Sequence, residues 1–385
     1  MASDTQPAGQ KQADIIIIGG GIAGAGAAYA LAPQARVILL ERENQPGYHT
    51  TGRSAALFSE TYGNAPIRAL TVASRDFLMQ PPPGFCDGAI LTPRGVLQVG
   101  VAEKAETLDA AYDEMRRLVP SIRRLDAAAV LARVPVLRPE MVAAGALAEP
   151  EAMDIDVHAL HRGFLRGAAA AGASIVCDAS VTGLARDTAG WRVDVAGQGE
   201  YRAGIVINAA GAWADVTAAL AGLGPLGLAP KRRTALTAEM PAGLDFAAWP
   251  MVIDADEQIY FKPEAGRMLI CPADETPSDP CDAQPDEMDI AIAVDRFETL
   301  TNLGVRRIAA KWAGLRSFFP DRTIVAGFDP QAEGFFWLAG QGGYGIQTSA
   351  AMSRVAGALA LGRDLPSDIQ ELGVSEADLS PSRFR

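Results

Sequence analysis

Gly19, Gly21 and Gly24, with Glu41 twenty residues past Gly21, are the residues whose types and spacing point most directly to chemistry. The run Gly19-x-Gly21-x-x-Gly24 suits a pyrophosphate. One glycine makes a tight turn, one lets the backbone approach the phosphates, and one lets a helix lie close on a strand. The helix start, at Ile22 and Ala23, offers unpaired N–H groups and the positive end of its dipole. Glu41, with Arg42 beside it, stands where a carboxylate accepts both hydroxyls of an adenosine ribose. An acid there repels a 2′-phosphate, so FAD or NAD fits better than NADP.

Three glycines alone would be weak support; the elements around them make it strong. Ile15-Ile16-Ile17-Ile18 is a β-branched run of the kind found in fully buried parallel strands. An Ala-rich helix follows the glycines, and Val37-Ile38-Leu39-Leu40 makes a second buried strand ending at Glu41. Further on, Gly340-Gln341-Gly342-Gly343-Tyr344-Gly345-Ile346-Gln347-Thr348 leads into a second helix that stops at Gly362. A glycine-rich loop feeding a helix start is a second place to meet an anion or dipole.

The remainder reads as α/β alternation interrupted by β-rich segments. Helices are expected at Ala65–Met79, over Lys104–Ala132 with a break at Pro120, and at Asp156–Ala171. Ala89–Leu91 and Val96–Val99 around Thr92-Pro93-Arg94-Gly95 read as a hairpin. Strands are expected at Ser174–Cys177 and Trp191–Val195. Gly204–Trp213 reads as a buried strand entering a small-residue turn and a helix. From Pro230 to about Val294 the texture is that of β-hairpins, including one turning at Pro263-Glu264-Ala265-Gly266; Ile324–Gly327 and Phe335–Ala339 are short strands.

Composition narrows the function. The 385 residues are 49% hydrophobic and 21% charged, ordinary for a chain of two structural domains. A formal charge of −12 argues against nucleic acid as a partner. Met1–Ala13 is polar and lacks a signal-peptide core, and no stretch approaches the ~20 apolar residues that span a bilayer. Cys86, Cys177, Cys271 and Cys281 are scattered without a partner at ligand spacing, so neither a disulfide nor a metal site is expected and a reduced cytoplasm fits.

The opening unit, the run Thr50-Thr51-Gly52-Arg53-Ser54-Ala55 and the Gly342-Gly343-Tyr344-Gly345 helix start resemble the D-amino acid oxidase superfamily of flavoproteins. Gln45–His49, Pro225–Leu228, Pro230–Arg233, Trp312–Phe318 and Glu333–Trp337 resemble, more closely, the bacterial FAD-dependent D-arginine dehydrogenases. The resemblance implies an α/β fold: a discontinuous Rossmann-type FAD domain (1–84, 150–222 and 318–385) and an α+β substrate domain (85–149 and 223–317) with an antiparallel sheet. It implies non-covalent FAD held by the first glycine unit with Glu41 and Arg42. Thr51, Gly52, Arg53, Ser54, Ala55, Ala56, Val181, Ala210, Gly211 and Trp213 would join it, as would Gly342, Gly343, Tyr344, Gly345, Ile346, Gln347 and Thr348.

The same resemblance places a carboxylate clamp at Arg233, Arg316 and Tyr260, Tyr62 on a mobile lid, and substrate contacts at Leu57, Ser59, Val96, Gly343 and Gln347. The guanidinium fork matches a carboxylate, although strand alternation leaves Arg232 as a rival to Arg233. The family's pocket histidine falls on Leu57 and its guanidinium-binding glutamate on Val96. An apolar wall leaves a buried guanidinium unpaired, so apolar D-amino acids are expected over D-arginine and D-lysine. His49, His158 and His161 are then structural. The implied reaction is oxidative deamination of a D-amino acid to a 2-oxo acid and ammonia, with a quinone or artificial acceptor favoured over oxygen. A secondary amine such as D-proline or sarcosine, a 2-hydroxy acid, or a flavin-carrying electron-transfer subunit are the alternatives. An NAD-dependent dehydrogenase fits less well, because the nucleotide unit is interrupted rather than built of two halves.

Overall fold

The computed structural model describes residues 11–385; most of the polar opening considered for a leader lies outside them. Its centre is a six-stranded sheet in the order Val325–Phe328, Phe335–Ala339, Ile205–Asn208, Ile15–Ile18, Val37–Leu40, Ser174–Val176. Pairing is parallel except between Val325–Phe328 and Phe335–Ala339. The apolar runs follow from burial on both faces. Ile15, Ile17, Val37, Leu39 and Ile207 enter a core with the helices, whereas Ile16, Ile18, Ile38, Leu40 and Val206 enter a second core.

On the first face the helix Ile22–Leu31 lies between the helices Val157–Ala170 and Ser349–Ala360. Small residues make that spacing: a Cβ on Gly26 would stand 3.1 Å from Ser353, and one on Gly357 2.9 Å from Ala30. The other face is covered by the antiparallel strands Val181–Asp187, Gly190–Val195 and Gly199–Ala203 and by the helix Ala214–Leu220.

A nine-stranded sheet forms the second layer. Its longest pairing joins Ala229–Ala238 to Ile308–Phe318, and Tyr260–Glu264 to Arg267–Cys271 is the expected hairpin. Ala265 and Gly266 both take positive φ at its two-residue turn, the twist that a tight hairpin requires.

Three expectations are corrected. Leu91–Pro93 and Val96–Val99 are not a hairpin: the first pairs with Met153–Ile155 in a small sheet, the second with Met251–Asp254 and Ala146–Glu149 in the large one. Arg94 makes the crossing favourable, its guanidinium bonding Asp154 at 2.6 Å and the carbonyls of Ala247 and Trp249. The segment 104–132 is not one broken helix, because Arg123–Leu125 adds a strand beside Ala146–Glu149. The β-rich stretch to residue 294 contains the helix Glu287–Leu300, which Asp286 caps through the Met288 N–H and which buries Ile290, Ala293 and Phe297.

Candidate active site

Two adjoining cavities run along the start of the helix Ile22–Leu31. The smaller, of 250 Å³, is lined by Gly19, Gly21, Ile22, Ala23, Glu41, Arg42, Thr51, Val181, Ala210, Gly211, Trp213 and Gly342. Gly19 has φ +107, and a Cβ there would stand 2.4 Å from the Ala209 carbonyl oxygen, so backbone replaces side chain at this turn. Gly21 precedes the helix with no side-chain cap. Buried Glu41 accepts from the N–H of Gly20 at 2.8 Å and of Glu43 at 2.9 Å, which fixes its carboxylate at the end of the second strand. The Arg42 guanidinium lies 4.5 Å from the Trp213 ring at the same cavity.

The larger cavity, of 460 Å³, shares Ile22, Thr50, Thr51, Gln341 and Gly342 with the first, so the two form one elongated groove. Arg53, Ser54, Ala55, Ala56, Gly343, Tyr344, Gly345, Ile346 and Gln347 line its near part, Leu57, Ser59, Tyr62, Val96, Arg233, Tyr260 and Arg316 the rest. Gly24, Gly52 and Thr348, expected at the cofactor, line neither cavity. Gly24 packs its backbone on Gly19, the Gly52 N–H donates to the Gly47 carbonyl, and buried Thr348 donates to the Tyr344 carbonyl. Arg53 commits its guanidinium to the carbonyls of Ala283 and Ala313 and to Asp282, so its part here is to brace the wall.

The strands Ala229–Ala238 and Ile308–Phe318 place the arginines. Lys231 stands opposite Arg316 and Arg233 opposite Gly314, which puts all three basic side chains on one face. Arg232 points to the other face and pairs with Asp289 at 2.8 Å, so of the two neighbours Arg233 is the one that lines the cavity. Arg316 directs Nη1 to the Tyr62 hydroxyl at 3.3 Å and Nη2 to the Tyr260 hydroxyl at 3.5 Å. Among the described residues no carboxylate pairs with it. Gly343 of the glycine-rich loop lies close by: a Cβ there would stand 2.8 Å from the Tyr62 hydroxyl and 3.0 Å from Arg316. Burial pushes the Tyr260 phenol well above its ordinary range and Tyr344 up to about 12, so both stay neutral donors.

Arg233 donates through Nε to the Asp274 carbonyl at 2.7 Å and lies 3.5 Å from Glu275, which also binds Lys231 at 2.7 Å and Arg322. One carboxylate among three cations leaves this end of the cavity positive. Burial works to raise the Glu275 pKa, but Arg322 and Lys231 overcome it and bring the group from 4.5 to about 2. The stability this pairing contributes is therefore complete above pH 4.5 and lost as pH falls through about 2. Urea unfolding across that window should show a shallower loss of stability in Glu275→Gln than in the parent.

Sequence reading missed Glu149, Gln98, Trp312 and Met251, which also line the larger cavity. Glu149 stands directly opposite Val96 across the Val96–Val99 and Ala146–Glu149 strands, so that wall is not purely apolar. Only the strand pairing brings it there. His161 is buried, with Nε2 2.8 Å from the Gly20 carbonyl oxygen, and lines neither cavity. His49, by contrast, lines the smaller cavity, its ring packed on Trp213.

The family model of FAD dependent oxidoreductases matches residues 14–359, and the chain belongs to that family. It is 25% identical to a glycine oxidase of Geobacillus kaustophilus, over 87% of this chain and 89% of that one. It is 24% identical to an N-methyl-L-tryptophan oxidase of Citrobacter koseri, over 92% and 96%. Among solved structures, an L-proline dehydrogenase from P. horikoshii superposes with a TM-score of 0.83 at 21% identity, covering 97% of this chain and 98% of that one. The chain is thus a flavin oxidoreductase with FAD as its cofactor, built as a Rossmann-type FAD-binding unit and a substrate-side sheet. D-arginine dehydrogenase in particular is not among these relatives. The groove suits FAD: a glycine cradle and uncapped helix start for the pyrophosphate, Glu41 for the ribose, and the wider cavity for the flavin ring and a substrate. Among the described residues no group of side chains could hold a metal, the four cysteines are free, and no helix is long and apolar enough to cross a membrane.

Proposed function

We propose that the protein oxidises D-amino acids, with non-covalent FAD, to 2-oxo acids and ammonia. The single observation behind this reading is Arg316: a guanidinium inside the cavity, without a carboxylate partner, flanked by two tyrosine hydroxyls. An uncompensated cation with donors on either side awaits an anion of carboxylate shape. Arg233 adds positive field, and Tyr62 and Tyr260 fix the carboxylate's orientation. Bound FAD would supply the hydride acceptor for Cα, and the imino acid formed would hydrolyse in water to the 2-oxo acid and ammonia.

Catalysis by this chain is then chiefly positioning. Among the described residues no carboxylate or histidine hydrogen-bonds Arg316, and Glu149 is taken up by Ser59, Glu60 and Thr61, so the substrate amine loses its proton to solvent and the rate rises with pH until that amine is neutral. The domain ranges given above are part of the same proposal, with the flavin at their junction. Leu57, Val96, Met115, Ile122 and Leu147 form an apolar part of the cavity lining, beside Gln98 and the buried Glu149, and favour apolar side chains. Installing a carboxylate by Val96→Glu should raise kcat/KM for D-arginine relative to D-leucine; an unchanged ratio refutes the apolar wall.

Oxidation of a secondary amine is the second reading, supported by relatives named for N-methyl-L-tryptophan and L-proline. One titration separates them: anaerobic bleaching of the flavin by D-amino acids, their L-forms, sarcosine, both prolines and 2-hydroxy acids. Bleaching by D-amino acids alone supports the proposal. Bleaching by L-forms or N-alkyl compounds instead replaces it, and a flavin that none of them reduces points to a carrier role. Reoxidation by a quinone analogue faster than by oxygen is expected.

A further inference from the structure

The oxidation proposed above leaves one buried carboxylate in the cavity without a task. Glu149, 4% exposed, ends the strand Ala146–Glu149 and faces three consecutive residues of another segment. Its Oε2 accepts from the hydroxyls of Ser59 at 2.6 Å and Thr61 at 2.7 Å, and its Oε1 accepts from the Glu60 N–H at 2.8 Å. No cation pairs with it among the described residues; nearby Arg75 is held by Glu60 at 2.6 Å. Burial pushes its carboxyl above the usual range.

A buried charge without a counter-charge is costly, and an apolar residue would fill the space at less cost. What Glu149 provides is a fixed acceptor for 59–61, the residues directly before Tyr62. The Ser59 N–H also reaches Gln347 Oε1 at 3.4 Å, and Gln347 donates to Thr71 at 2.8 Å. The segment is thereby tied at one side to the substrate-side sheet and at the other to the glycine-rich loop. Its next side chain, Tyr62, packs at a tilt against Tyr344, ring centroids 4.9 Å apart, and sets its hydroxyl against Arg316.

We infer that Glu149 is a positioning residue for carboxylate recognition: it pins Ser59, Glu60 and Thr61 and so holds the Tyr62 hydroxyl at the Arg316 clamp. This rests on reading Tyr62 and Arg316 as that clamp, but not on the identity of the substrate side chain.

The test is calorimetric binding of butanoate, a carboxylate that cannot be oxidised at an α-amine, to the flavin-loaded enzyme. Glu149→Ala should weaken butanoate about tenfold, while Glu149→Gln, which keeps an acceptor for the Glu60 N–H, recovers most of the affinity. In a Tyr62→Phe background, Glu149→Ala should weaken it by less than about threefold, since the two act through one hydroxyl. An undiminished effect in that background overturns the inference. So does tighter binding of 6-aminohexanoate than of hexanoate by the parent enzyme that Glu149→Gln abolishes, because Glu149 would then meet the ligand directly. The comparison of those two ligands in the parent needs no variant to fold. Coupled binding of butanoate together with a flavin that no amino acid reduces would sustain this inference and defeat the oxidation reading.

Discussion

Arg316→Leu is expected to lower kcat/KM for an amino-acid substrate by roughly two to three orders of magnitude, or about 2.7–4 kcal/mol, with the flavin still bound. Among the described residues the Arg316 guanidinium hydrogen-bonds only hydroxyls, at 3.3 and 3.5 Å, so its charge is available to a ligand. Loss of one partner from a desolvated, hydrogen-bonded charge pair has effects of this size. Arg232→Leu is the matched control. It removes a guanidinium one register pair away that faces Asp289 on the opposite side of the sheet. Arg316→Lys should recover only part of the loss, because an ammonium cannot present the planar fork. Steady-state kinetics on the three variants decide the matter: near-normal kcat/KM in Arg316→Leu would remove Arg316 from the clamp.

The nucleotide half of the groove was legible in the sequence because its chemistry is local. Glycine spacing, a β-branched run and an acid at the next strand end all lie within 15–41, and the structure keeps them in register, Ile15 with Val37 and Ile18 with Leu40. The substrate half is not local. Arg316 and Arg233 become neighbours through a pairing whose partners lie far apart in the chain, and only resemblance suggested them. Glu149 had no signal at all, since nothing about Ala146-Leu147-Ala148-Glu149 says which loop its carboxylate will meet. The hairpin expected around Thr92-Pro93-Arg94-Gly95 failed for a related reason. Turn residues specify a reversal or a crossing equally well, and the tertiary partners of Arg94 decide between them.

Gly24→Ala should cost the protein its flavin: FAD affinity weakened by at least about tenfold, or about 1.4 kcal/mol, when cofactor is titrated into apoprotein. A Cβ at Gly24 would stand 1.9 Å from the Gly19 carbonyl oxygen and 3.1 Å from its carbon. Both belong to backbone in the phosphate turn, so no rotamer change relieves the contact. The helix must lift from the strand Ile15–Ile18 or the turn must open, and either displaces the N–H groups meant for the pyrophosphate. Gly26→Ala separates this from any general effect of alanine in that helix. Its Cβ would meet the Ser353 Cβ at 3.1 Å, on the helix-packing side and away from the groove. Gly26→Ala should therefore retain FAD while Gly24→Ala does not. If the two variants bind FAD alike, close approach at Gly24 is not what holds the pyrophosphate turn in place, and the cradle must rest on Gly19 and Gly21.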